Sequence, residues 1–186
     1  MTKIQLVLVD DWELRGDGSG DMRVIQFDTL HKTMDIYEKY GLKASINAEV
    51  MQQINHKKWG EQYPDLKQLA KEWDDIIIEA CQRGHDIQPH THSQWQGATY
   101  ENGRWNLPGN WSIIKGTRES VQSLIHQAKT YLEELLRPIN PNYQCVSFRS
   151  GAWCIAPSDF ILSVLVEEGF TFDIKYDRVF LESTSS

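Results

Sequence analysis

Short apolar runs alternate with stretches of helical periodicity along this chain, an order that confines it to a largely parallel sheet flanked by helices. Residues 4–9 form an apolar run ending at two aspartates and suit a buried first strand. Asp28 is placed to cap a helix in which Leu30, Met34 and Tyr37 share a face and Gly41 is the stop. Residues 43–47 read as a second strand. A longer helix is expected from Asp65, with Leu66, Leu69, Trp73, Ile76, Ile77 and Ala80 on one face, ending at Gly84. Residues 86–89 then give a third strand. Thr117 opens a further helix (Val121, Leu124, Ile125, Ala128, Leu132, Leu135) that Pro138 and Pro141 close. Residues 144–148 make a fourth strand, Ser158 caps a last helix ending at Gly169, and residues 170–174 make a fifth. Residues 95–116, rich in Gly, Asn and aromatics, are expected as an inserted loop, and residues 175–186 as a tail.

A length of 186 residues suits one domain with one core. The net charge of −7 argues against a general affinity for nucleic acid or anionic membranes. No apolar run is long enough for a membrane span, and the first residues are too short an apolar stretch for a secretory signal, so the expected location is cytoplasmic. Cys81, Cys145 and Cys154 are widely spaced, contain no C-x-x-C and are expected as reduced thiols.

One regularity points to function. Asp10 and Asp11, Asn47, His90 and His92, and Arg149 each fall just past the expected C-terminal end of a strand. In parallel α/β architectures these ends share one face, where active sites are built. His90 and His92, two apart on extended chain, project to one side and are close enough to share a metal. Imidazole nitrogen suits Zn²⁺, Co²⁺, Ni²⁺ or Fe²⁺, and one carboxylate would complete a three-ligand hydrolytic site. One of the paired aspartates can then bind the metal while its neighbour takes a proton from water, whose pKa a metal lowers from about 15.7 to about 7. Glu13 reads as a surface acid or an outer neighbour of the site. Arg149, leaving a buried strand, needs an acidic partner, and Asp10 would serve.

In their order, Leu8-Val9-Asp10-Asp11, then Gly84-His85-Asp86-Ile87 leading to His90-Thr91-His92-Ser93-Gln94, then Phe148-Arg149-Ser150-Gly151-Ala152-Trp153 resemble the motifs of the polysaccharide deacetylases (carbohydrate esterase family 4). The resemblance implies an irregular (β/α) barrel, of which about five strands are present. It also implies Asp10 as catalytic base, Asp11 and His90 as metal ligands, and Arg149 as the residue that orients the base. The family's second metal histidine falls on Gln94, so either His92 or Gln94 is the third ligand, and His92 is also the one histidine placed to act as an acid. The late-strand histidine that the family uses as proton donor has no counterpart after residue 174, so weak or absent turnover is expected. The implied cofactor is a divalent metal, Zn²⁺ first, and the implied partner is an N-acetylated sugar or glycan, in surface-polysaccharide synthesis. Asn47, Trp95, Trp105, Trp111 and Trp153 are the expected sugar contacts. Five strands leave an edge at which a homodimer could form. Two other classes fit the same motifs, a hydrolase of small cyclic amides or ureides and a non-catalytic carbohydrate-binding domain.

Overall fold

In a computed structural model, residues 7–153, 155 and 159–173 are described. Five strands, β1 (Val9–Trp12), β2 (Ser45–Glu49), β3 (Asp86–Thr91), β6 (Ser147–Ser150) and β7 (Phe172–Asp173), form one sheet in the order β1-β2-β3-β6-β7. Every pairing in it is parallel. Each later strand joins on the same side as the one before, so the sheet winds in one direction, as a barrel wall does, and does not reverse as in doubly wound folds. The expected first three residues of β1, the cap at Ser158, Cys154, Ile174 and the 175–186 tail lie outside the described residues.

The helices are α1 (Asp28–Lys39), α2 (Val50–Gly60), α3 (Pro64–Gln82), α4 (Arg118–Leu136) and α5 (Ile161–Glu167). Their apolar stripes are buried as the sequence spacing predicts: Leu66, Trp73, Ile76, Ile77 and Ala80 in α3, and Val121, Leu124, Ile125, Ala128 and Leu132 in α4. Thr117 caps α4, its hydroxyl accepting from Ser120 N–H. Asp28 differs from expectation. It begins α1 without capping it, because a π-helical turn (Arg23–Phe27) leads straight into the helix. No helix among the described residues is long and apolar enough to cross a membrane.

Strand parity sorts the sheet into two chemically distinct faces. One parity carries Trp12, Ile46, Ala48, Ile87 and Phe148, all at most 5% exposed. Trp12 meets Trp73 of α3 and Phe148 meets Phe170. Burying a side chain of this size stabilises by about 1.5–3 kcal/mol. The opposite parity is almost wholly polar: Asp11; Ser45, Asn47, Glu49; Asp86, Gln88, His90; Ser147, Arg149. Its members satisfy one another: Ser45 donates to Asp86, Gln88 donates to Asp86, and Gln88 Oε1 accepts from Val146 and Ser147 N–H.

Residues 95–116 contain structure that the composition does not suggest. β4 (Thr99–Glu101) and β5 (Arg104–Asn106) form an antiparallel hairpin around Asn102-Gly103, both with positive φ, the two-residue turn that matches strand twist.

Candidate metal centre

The strands run two or three residues further than their apolar stretches. This moves the polar rows of the sheet into the strands themselves. Asp11 pairs with Asn47 and Asn47 with Gln88, while one row on Glu49 pairs with His90 and His90 with Arg149. Continuing β1 by one residue places Glu13 beside Glu49 in that second row. The result is a compact group of Glu13, Glu49, His90 and His92, with one ligand atom from each lying within 4.8 Å of all the others.

The rings are oriented for a cation. His90 Nδ1 lies 2.9 Å from the Arg149 carbonyl oxygen, which can only accept, so Nδ1 carries a proton and, in the neutral ring, Nε2 is left as a lone pair. His92 Nδ1 faces Gln94 Oε1 at 3.4 Å, and the Gln94 amide is fixed in that sense because its Nε2 donates to the Gly16 carbonyl. The two Nε2 atoms therefore converge, 3.1 Å apart, with Glu13 Oε2 at 2.8 Å from His92 and 3.5 Å from His90. Tying the far nitrogen of each imidazole to an oxygen acceptor is how metal-binding histidines are held. Gly151 makes room for the His92 ring: a Cβ there would lie 2.5 Å from His92 Cγ.

Glu49 is fully buried. Its Oε1 caps α2 by accepting from Met51 and Gln52 N–H, whereas its Oε2 has no hydrogen-bond partner. Burial pushes its carboxyl up to about 7, against the pull of the two histidines. The donor set, the convergent lone pairs and the orphaned oxygen together fit a divalent ion.

Several expectations need correction here. Adjacent residues on a strand point to opposite faces, so Asp10 and Asp11 part company. Asp10 lies on the helix side and accepts from Tyr37 Oη of α1 at 2.8 Å. Arg149 therefore pairs with Asp11, Nε to Oδ1 at 2.8 Å, not with Asp10. Its N–H is not aligned for a hydrogen bond, so the attraction is coulombic. Asn47 donates to the same Asp11 oxygen, which places Asn47 as a support buried beneath the site. Asp11 is thus tethered outside the four-residue group, and Glu13 and Glu49 supply the carboxylates beside the histidines. Gln94 stands on the Nδ1 side of His92, opposite the converging Nε2 atoms. Glu13 and Glu49 were legible only through strand parity: each stands two residues beyond a polar position of the same face.

The expected aromatic rim divides. Trp95 is buried and its carbonyl accepts from Asn55, while Trp105 packs on Trp95, Tyr100 and His56. These rings pin the hairpin to α2. Trp111 is 59% exposed and lies against Gly16, three residues from Glu13. The side chain of Trp153 lies outside the described residues. A cleft of about 830 Å³ is lined by Leu14, Arg23, His56, Tyr100, Arg104 and Trp105 among others. It begins next to Glu13 and does not include the Glu–His group itself.

Without a metal, Glu13 and His92 form an ion pair. Burial alone would raise the Glu13 carboxyl, but the hydrogen bonds and charges of His90 and His92 outweigh it and hold it at about 2. Burial alone would lower His92, but its contact with Glu13 and the charges of Glu49 and Glu13 raise it to about 9. The depressed Glu13 value stabilises the fold above its ordinary value of 4.5, a contribution lost as pH falls towards 2. The raised His92 value stabilises the fold below 6.5, a contribution lost as pH rises towards 9. Urea unfolding of the metal-free protein is therefore expected to show this pair's stabilisation at its fullest between about pH 4.5 and 6.5. Glu13→Gln should flatten both limbs, and a profile unchanged by it would remove the pair.

No family model matches the chain, and no curated protein does. Similar solved structures include a mutant CE4 family pseudoenzyme with restored enzymatic activity, 11% identical with a TM-score of 0.52, the match covering 90% of this chain and 43% of that one. Another is the wild-type CE4 family pseudoenzyme from Bacillus anthracis, 9% identical with a TM-score of 0.51, covering 90% of this chain and 42% of that one. The chain thus spans less than half the length of these structures. Taken with the parallel, singly wound sheet and the polar row at its strand ends, these matches show that the chain has the polysaccharide deacetylase-like fold of the CE4 proteins.

Proposed function

We propose that this chain is a metal-dependent hydrolase that removes an acetyl group from an N-acetylated sugar. The observation that carries the reading is the convergence of His90 Nε2 and His92 Nε2, 3.1 Å apart, on Glu13 Oε2. Glu13, His90 and His92 would hold the ion. When bound, a divalent ion supplies a Lewis acid for the acetyl carbonyl and makes water easier to deprotonate. Asp11 lies on the same sheet face two residues before Glu13. Held by Arg149 and Asn47, it is the group that takes the proton from the attacking water. The cleft beside Leu14 offers hydroxyl-binding charges and the faces of Tyr100 and Trp105, and exposed Trp111 stands near Glu13 as a further stacking surface. An N-acetylated sugar destined for a surface polysaccharide is a substrate of this chemistry.

A specific observation favours a second reading, a metal-holding domain without turnover. Among the described residues, the histidines outside the cluster are engaged elsewhere: His31 with Glu79, His56 with the Gln52 carbonyl, His85 with Glu38 and His126 with Glu168. None of them is in place to protonate a departing amine. The two readings separate in one experiment. The purified protein is analysed for bound metal and assayed for acetate release from N-acetylated chitooligosaccharides, before and after chelation. Metal near one ion per chain with chelator-sensitive acetate release supports the hydrolase. Metal without acetate selects the second reading. No metal taken up at neutral pH rejects both.

A further inference from the structure

The three donors of the hydrolase reading leave one buried carboxylate unexplained. Glu49 has 0% exposure, sits in the same sheet row as His90, and has its carboxylate within 4.8 Å of the Glu13, His90 and His92 ligand atoms. The charges facing it are His90, His92 and Glu13, and among the described residues no Lys or Arg side chain is bonded to it. Its two oxygens have separate environments. Oε1 is occupied by the backbone N–H groups of Met51 and Gln52 at the start of α2, and Oε2 has no hydrogen-bond partner among the described residues. A buried carboxylate oxygen left unpaired is destabilising in either protonation state, since an ionised oxygen lacks a donor and a protonated one lacks an acceptor. A cation shared with the neighbouring lone pairs satisfies it directly.

Resting on the metal reading above, we infer that Glu49 is a fourth protein donor, so that the centre holds a two-histidine, two-carboxylate ion and favours a divalent metal of coordination number five or six. Four protein donors fill a tetrahedral ion, the closed arrangement of structural zinc. A position for water or substrate then requires an ion that accepts more ligands, as Mn²⁺, Fe²⁺ and Co²⁺ do. Because the other oxygen of Glu49 caps α2, ion binding also fixes the start of the helix whose Trp59 and His56 support the β4–β5 hairpin: Trp59 Nε1 donates to the Ala98 carbonyl, and His56 packs on Trp105.

The test uses Co²⁺ alone, titrated into the metal-free full chain, followed by calorimetry, visible absorption and thermal melting. Wild type is expected to bind one ion with the weak visible band of five- or six-coordinate cobalt. Glu49→Gln keeps an oxygen to cap α2 and removes the carboxylate. It is expected to melt at or above the wild-type temperature when metal-free, to bind Co²⁺ about 10²-fold more weakly, and to gain less melting temperature on loading. Should that variant fail to fold, Glu49→Asp, which keeps the charge and the cap but withdraws the oxygen by one methylene, is expected to show the same weakening. Wild-type affinity in the variant that folds, or the intense band of tetrahedral cobalt in wild type, overturns the fourth donor while leaving the three-donor site intact. A wild type that takes up no Co²⁺ overturns both.

Discussion

His90→Ala is expected to weaken divalent-metal binding by on the order of 10²–10³-fold. The magnitude follows from the roughly 10–16 kcal/mol of a four-donor structural zinc site, which divides into about 2.5–4 kcal/mol per donor. His90 is the donor held most firmly: its side chain is 1% exposed, its ring is tied through Nδ1 to the Arg149 carbonyl, and it stands in register between Glu49 and Arg149. Its loss also removes the neighbour that faces His92 Nε2 at 3.1 Å. Calorimetric titration of the metal-free variant measures the effect directly, and circular dichroism checks that the sheet persists. Since the ring touches the polar side of the sheet and not the Ile46–Ile87 side, the fold should survive. Retention of wild-type affinity would mean that the ion binds elsewhere.

The second large effect is expected from the pair of adjacent aspartates, which the structure assigns to opposite sides of one strand. Asp11→Asn should lower kcat by about 10², the scale of a lost general base, with metal content nearly unchanged. Asp10→Asn should leave kcat within a few-fold of wild type, because that carboxylate accepts from Tyr37 on the helix side. Arg149→Ala should follow Asp11→Asn, since the guanidinium fixes the Asp11 carboxylate. The Arg149 backbone carbonyl that orients His90 remains in that variant, so metal affinity is preserved while turnover falls. Arg149→Lys, which keeps a charge, is expected to recover part of kcat with little change in KM. If Asp10→Asn is the damaging substitution and Asp11→Asn the silent one, Asp11 is not the base and this strand register does not serve catalysis.

Much of this architecture is written locally. The apolar stripes of α3 and α4, the Thr117 cap and the alternation of strands with helices follow from side-chain spacing that each segment carries by itself, and the described structure keeps them. His90 and His92, two residues apart, are bound to share a side on any extended segment. The Asn102-Gly103 turn is also a local signal, though aromatics and glycines around it suggest only a loop. The α2 helix is not legible in this way. Gln52, Gln53, Asn55 and His56 occupy its buried positions, so its sequence lacks an apolar stripe. They are tolerated there because distant groups complete their hydrogen bonds: Leu14 N–H donates to Gln52, which itself donates to Gln26, Gln53 donates to Asp74 and Tyr131, and Asn55 donates to the Trp95 carbonyl.

The site shows the same division. Which residue types gather at the strand ends is a property of the chain, but which of them meet depends on register, and a shift of one residue turns every side chain to the other face. Apolar content alone ends the strands too early, because polar residues on the inner face have no apolar signature and are stable in a sheet only once their partners across it are in place. That is why Glu13 and Glu49, 36 residues apart in sequence, become neighbours of the two histidines while Asp10, next to Asp11, does not. The sequence by itself determined the parallel α/β order and the histidine pair. Only the tertiary structure decided which carboxylates join that pair, because hydrogen-bonded register between strands, not proximity along the chain, sets which side chains share a face.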